Sequence, residues 1–384
     1  MAMAASSAPP ASDGALDRGS AAAAAPVAAA SASAATARLA QAQLPPAPRG
    51  GPKVSGVEIR LGSLGASDEQ LAQMREREEL SLERVRHQQQ TNGAVPLPAD
   101  LRHAVMDFLR QVAYGSDVPP ESLRTCLFSA IHVFDITAPV LLAATSITSV
   151  AEVRNKATLL AIAAWRMCLK SESNTTSTCM RLDLEGIRAM IDLSKNSGIG
   201  FGQQLGSSDV ITTAAVAKQE LDLLLRHPTV FAMPSPCTWL NTFWCRFNAR
   251  MGSALQIAVA SCGGGDFDNQ LLWYWVLHSP SSADWPPSVL ALGVFALVLA
   301  KVGLVRCSDL MPQSLAGMPL GEAELRERFE VLFGPFAPCG SAGCTDTARD
   351  GLLIATGVQI ATVEMAVRLV LRVSSAAKAS SVRG

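Results

Sequence analysis

The 384-residue chain has no excess of either charge: 32 Lys and Arg stand against 33 Asp and Glu, a formal net charge of −1. A nucleic-acid binder usually carries a basic surplus, so the overall charge gives no sign of one. Histidine is scarce, at five residues, and the patterns HExxH, GxSxG and GxxxxGKS/T are absent. Those absences remove the familiar signatures of zinc hydrolases, serine hydrolases and P-loop nucleotide hydrolases. With no nucleophile, general base or phosphate loop standing out, a non-catalytic protein is expected. The nine cysteines (126, 168, 179, 237, 245, 262, 307, 339 and 344) are odd in number and mostly set in apolar runs. They read as reduced, core-filling thiols of an intracellular protein and not as a disulfide framework. Cys339 and Cys344 lie close together in PCGSAGC, but no second pair or nearby His completes four ligands. No metal and no cofactor are expected.

Long uninterrupted apolar runs are also missing. The run at 288–300 stops at Lys301 after thirteen residues, and the run at 352–372 contains Glu364 and Arg368. A bilayer span needs about 20 apolar residues, so burial in a helical core is the better expectation, with no membrane partner.

What is present changes in texture along the chain. Residues 1–66 are rich in Ala, Ser, Pro and Gly. Such a segment has too little large apolar surface to repay its ordering entropy and reads as a disordered tail. It has no compact apolar region after a basic start, unlike a secretory signal. Its Ala/Ser richness fits a transit peptide while Asp13 and Asp17 count against one, so organelle targeting stays open. Residues 67–97 hold a charged helix and a linker. In that helix Leu71, Met74, Leu80, Leu82 and Val85 form a sparse stripe beside a solvated face, with Ser67 or a neighbouring Asp as cap.

Compact helices are expected from residue 98 onward. PADLRHAVMDFLRQVAYG places Leu101, Val105, Phe108, Leu109 and Val112 at helical spacing, and PPESLRTCLFSAIHVFDI follows it. The third segment is the one around which the rest is arranged. Between Lys156 and Lys170 lie thirteen residues, nearly all small or apolar. A helix apolar all round belongs at the centre of a helical domain. Lys170 emerges at its C-terminal end, where a cation is favoured by the helix dipole. CMRLDLEGIRAMIDLSKNSG and ITTAAVAKQELDLLLRH read as fourth and fifth helices around a Gly-rich loop, which makes 98–248 one all-α domain. The remainder, 249–374, repeats the plan around PPSVLALGVFALVLAKVG. NQLLWYWVLHS, the amphipathic GEAELRERFEVLFG and a closing LLIATGVQIATVEMAVRLVLRV belong to it, and 375–384 is read as a flexible tail.

Two helical domains in tandem, each built around an apolar helix, resemble the cyclin fold, here a divergent one over roughly residues 98–335. LRHAVMDFLRQV is similar to the first-helix signature of A/B-type cyclins, with Arg102, Asp107 and Phe108 where that signature has Arg, Asp and Trp. Ala130 and Asp135 in FSAIHVFD match the second-helix pattern, although Ile136 replaces a basic residue. Lys156 and Lys170 keep the spacing across the third helix, and Glu172 matches one of its trailing acids. Glu220 matches the fifth-helix Glu and runs without a gap through Pro234 to Trp239 and Leu240.

The resemblance implies an all-α fold of two tandem five-helix cyclin-box domains behind a disordered tail. It also implies a non-catalytic activator whose partner is a cyclin-dependent protein kinase, in cell-cycle control before transcription, in the nucleus and/or cytoplasm. Lys170 and Glu220, with Glu172, are the implied kinase contacts. Arg102, Asp107 and Asp135 are implied to be internal, the Arg pairing an acid. Kinase substrates are a further implied partner, through a docking groove on Leu101, Val105 and Phe108, with Thr158 where the family has a Gln. The link from Asp135 to Lys156 is long, and residues 174–211 insert Ser/Thr- and Gly-rich material. Two alternatives stand beside this one: an initiation-factor-like transcription adaptor, and a degenerate cyclin scaffold that no longer activates a kinase.

Overall fold

The computed structural model describes residues 67–116, 120–143, 149–172, 184–198, 200–261, 285–310, 327, 330 and 346–381. Among them the regular structure is helical, without a strand, so the all-α expectation holds. The Ala-rich segment 1–66, NQLLWYWVLHS, nearly all of GEAELRERFEVLFG, and the Cys339–Cys344 pair lie outside the described residues.

Helix α1 (Asp68–Asn92) starts where a capping box dictates. The Ser67 side chain accepts from the Gln70 backbone N–H, and the Gln70 side chain accepts from Ser67 N–H. Leu71 and Val85 are buried as the apolar stripe requires, whereas Leu80 is exposed. Helices α2 (Ala99–Tyr114), α3 (Pro120–Ala143) and α4 (Val150–Glu172) follow. The central helix α4 is longer than the apolar run alone and packs against both α2 and α3. Its Ala157, Ala161, Ala163 and Ala164 are fully buried beside Trp165, Leu160 and Ile162. Four alanines let neighbouring backbones approach closely, and the large residues between them fill the remaining space.

Helix α5 (Leu184–Ser197) leads into two 3-10 turns, Gly200–Gln203 and Ser208–Val210. Helix α6 (Thr213–Arg226), capped by Thr212 on the Ala215 N–H, packs on α4. Helix α7 (Pro236–Met251) opens with the Ser235 cap and Pro at its first position, and ends at Gly252 in the left-handed region, φ 59°. The expected domain boundary at residue 248 therefore falls inside a helix. That helix is shared: α7 packs on α3 on one side and, on the other, on α8 (Ala254–Ser261), α9 (Pro287–Lys301) and α11 (Asp346–Thr356). Trp239, Phe243 and Phe247 of α7 are buried, and Phe243 and Phe247 lie 6.0 and 5.8 Å from the Phe295 ring of α9.

Helix α9 is buried from Leu290 through Ala300 without a break. The short α10 (Cys307–Leu310) follows, and α12 (Ile360–Ser381) packs along α9. The apolar stretch 352–372 is not one helix. Gly357, at φ 61°, ends α11, and α12 leaves at 86° to it. The backbone of α12 stays helical to Ser381, past the expected start of a flexible tail at 375. Among the described residues one helix segment, Leu123–Ala143 of α3, is long and apolar enough to cross a membrane, and 72% of its most apolar window is buried inside the fold.

Candidate partner-binding site

Charges gather at the C-terminal end of α4. Arg166 and Lys170 are four residues apart and share one helix face. Across from them α6 carries Glu220, whose two carboxylate oxygens are both engaged. Arg166 Nε donates to Oε1 at 2.6 Å, and Lys170 Nζ donates to Oε2 at 2.7 Å. Glu220 is 12% exposed, Arg166 26% and Lys170 57%, so the cluster runs from the helix seam out to the surface. A buried carboxylate needs such partners, because an unpaired one costs several kcal/mol to desolvate, on the order of the ion-pair penalty. Lys170 also stands in the last turn of α4, where the helix dipole favours a cation. Glu172 is the last residue of that helix.

The structure thus brings together Lys170 and Glu220, fifty positions apart in sequence. It adds Arg166, which the sequence reading passed over. Its signal was available: a cation one turn before Lys170 inside an otherwise apolar helix.

Arg102 and Asp135 also meet, away from this surface. Arg102 Nε and Nη2 donate to the two Asp135 oxygens at 2.8 and 2.7 Å, a buried two-pronged ion pair between α2 and α3. Asp107 differs from expectation and lies on the exposed face of α2, because its position on the helix is turned away from the core side occupied by Val105 and Phe108.

The expected docking groove is closed. Leu101, Val105 and Phe108 are all buried, and the Phe108 ring sits 5.9 Å from Phe201. The cover comes from the inserted material after α5, since the 3-10 turn Gly200–Gln203 packs on α2. Thr158 is occupied by the same insertion: its hydroxyl donates to Arg154 O at 2.8 Å and accepts from Gly206 N–H at 2.9 Å. Gly206 has to be glycine there, because a Cβ would fall 2.6 Å from Asn155 Cα.

Beneath α1 lies a cavity of about 220 Å³ lined by Arg77, His132, Cys168 and Ser171 among others. Burial pushes the His132 imidazole down to about 4, so it is neutral near pH 7. The same holds for His227 at the end of α6, where burial first and the Arg226 charge second bring it to about 4.

A second unanticipated residue is Glu78 of α1. It is buried, and its Oε1 accepts the Ser288 backbone N–H at 2.7 Å. Helix α9 begins at Pro287, behind Pro286, and has no side-chain cap of its own, so Glu78 supplies it from another helix. Burial raises the Glu78 carboxyl; the Ser288 side chain and backbone, Trp239 and Arg75 pull it the other way. Two arginines close the opposite sort of terminus. Arg75 Nη2 donates to the carbonyls of Thr356 and Gly357, and Arg246 Nε to that of Ala355, at the C-terminal end of α11.

Fold and site together define an all-helical protein that displays a three-residue ion cluster at the mouth of a buried central helix. Comparison with known proteins finds no matching family model, no matching curated protein and no matching solved structure. Among the described residues no group of three or more His, Cys, Asp and Glu is placed to hold a metal ion.

Proposed function

We propose that this chain is a regulatory subunit that binds and activates a cyclin-dependent Ser/Thr protein kinase, in cell-cycle control, built as a divergent pair of cyclin boxes and acting in the nucleus and/or cytoplasm. The observation that carries the proposal is the Lys170–Glu220 contact of 2.7 Å at a surface rim. It joins the two residues that the cyclin resemblance pairs, on the helices that the resemblance requires. Charged groups held in a fixed geometry at such a rim form strong hydrogen bonds to a partner and bind it in one orientation. A kinase transfers phosphate only once its own Lys–Glu ion pair is assembled. A subunit with higher affinity for the assembled state shifts the kinase toward it by that difference.

The test is charge reversal at either residue, Lys170→Glu or Glu220→Lys, in the full chain. Kinase co-purification and the associated phosphorylation activity should disappear while far-ultraviolet circular dichroism stays unchanged. A helical variant that still binds and activates its kinase normally removes this interface from the proposal.

A further inference from the structure

The buried side of α1 consists of Leu71, Glu78, Ser81 and Val85, two apolar residues and two polar ones, with Met74 and Leu82 partly buried beside them. Its polar anchors reach the ends of other elements. Arg75 donates to the Thr356 and Gly357 carbonyls at the end of α11, and Glu78 accepts the Ser288 N–H in the first turn of α9. Further along, the Ser81 hydroxyl donates to Thr229 O, and Gln88 Nε2 donates to the carbonyl of Arg226, the last residue of α6. One helix thus lies across both halves of the fold. Beneath it, Met74 and Arg77 form one side of the cavity whose other walls include His132 of α3 and Cys168 and Ser171 of α4.

Each polar anchor is exchanged for water when α1 lifts, so these bonds fix its register more than they hold it down. Burial works against the Glu78 carboxylate, whose midpoint it raises. What keeps α1 in place is a thin apolar contact centred on Leu71 and Val85. The helix does not need that contact to start, because the capping box of Ser67 and Gln70 is its own. After it comes the connection 93–98, where Gly93 stands at φ 76° and residues 93–95 are exposed. A few such residues can absorb a change of direction. We infer that α1 is a strap that lifts as a unit from both halves while the other described helices stay folded, and that its lifting uncovers Cys168 and Ser171 on the floor of the cavity. Ser171 follows Lys170 in α4, so the strap covers ground beside the ion cluster. The inference stands apart from the proposed function and holds whether or not a kinase is the partner.

The experiment labels the full-length chain with N-ethylmaleimide and follows each cysteine by mass spectrometry. Cys168 and Cys126 are both buried, but Cys168 is a wall of the cavity and Cys126 is not, so Cys126 gauges global unfolding. Cys168 should react faster than Cys126 and depend less on urea below the unfolding transition, because lifting α1 exposes less surface than unfolding does. Leu71→Ala and Val85→Ala, towards the two ends of the strap, should each speed Cys168 labelling by about tenfold or more. Gly293→Val, in the contact between α9 and α12, should speed Cys126 and leave Cys168 unchanged, since that contact stays made when α1 lifts. The inference is overturned if Gly293→Val speeds both cysteines alike, which is the mark of global unfolding. It is equally overturned if Leu71→Ala leaves the Cys168 rate where it was, since the reagent then enters a closed cavity by its mouth. A rise with Leu71→Ala and none with Val85→Ala overturns it as well, because α1 then frays from one end and does not lift as a unit.

Discussion

Helices α4 and α9 sit at the centres of the two halves, are similarly apolar, and end differently. Helix α4 closes on a charged cluster that reaches the surface through Lys170. Helix α9 is enclosed along its length, and its first turn is held from outside by Glu78. An apolar helix therefore does not mark a functional site by itself. The distinction lies in what the neighbouring helices bring to its ends. At α4 they bring a carboxylate that holds Arg166 at the seam and Lys170 at the surface. At α9 they bring a carboxylate that satisfies the backbone and is then buried.

Breaking the first half should be hardest on the fold where its buried charge is stranded. Asp135→Leu leaves Arg102 buried without its two-pronged partner, and a loss of about 3–5 kcal/mol in unfolding free energy is expected. Urea denaturation followed by circular dichroism measures it. The double variant Arg102→Met with Asp135→Leu should recover most of that loss, since a well-packed apolar pair replaces the ion pair. A double variant no more stable than the single would mean that the pair also fixes the packing of α2 on α3.

The second half is expected to be most sensitive to shape. At Gly293 of α9 an added Cβ would lie 2.5 Å from Val370 Cγ2 and 2.7 Å from Ala366 O on α12. The second of these is backbone and cannot swing aside. Gly293→Val should cost on the order of 3 kcal/mol by overpacking, with a lower denaturation midpoint. Gly293→Ala should cost less, because it recovers up to about 1 kcal/mol of helix propensity. If both prove neutral, α9 and α12 are not in the contact described.

Much of this architecture was legible in the sequence and some of it could not be. The all-α class and the stripe of Leu71 and Val85 follow from periodicity, because one-sided burial leaves a repeating mark along a helix, and the central burial of α4 and α9 follows from runs that are apolar all round. The Lys170–Glu220 contact was legible only through a resemblance, since nothing in local spacing joins residues fifty positions apart. Phe108 was visible as apolar, but apolarity does not separate a groove from a core. Its cover, the turn around Phe201, came from a Gly-rich stretch that reads as loop. Glu78 was hidden by its surroundings: in a helix dense with Glu and Arg, one more Glu reads as solvated. Its partner is the uncapped start of α9, 210 positions away, which no local spacing points to.

Glu78 sharpens the comparison through pH. Glu78→Ala leaves the Ser288 N–H without its acceptor and should cost about 1–2 kcal/mol. Glu78→Gln keeps an acceptor oxygen and removes the titration. Because burial raises the folded carboxyl above its ordinary value of 4.5, the stability it contributes is present below about that pH and is lost as pH rises through the folded midpoint. His227 acts with the opposite sign: lowered from 6.5 to about 4, it supports folding above its unfolded value and ceases to as pH falls through about 4. The two slopes overlap, so the informative quantity is the stability of the parent minus that of Glu78→Gln. That difference should decline as pH rises above 4.5. A difference independent of pH would mean that Glu78 is not buried against α9.

The smallest effect on folding is expected at the most exposed member of the cluster. Lys170→Gln removes one of two cations from Glu220, at a residue more than half exposed, while Arg166 stays in place. Exposed ion pairs are worth about 0–1 kcal/mol, so the urea midpoint should barely move. Under the proposed function, kinase recovery should nevertheless fall. That combination separates the two helices: a residue that terminates α4 for the sake of the fold would cost stability when changed, as Glu78→Ala does at α9. A residue placed for a partner would cost binding and leave the midpoint where it was. If Lys170→Gln instead lowers the midpoint by as much as Glu78→Ala, the cluster at α4 serves the fold in the same way as the one at α9, and the contrast between the two helix ends is lost.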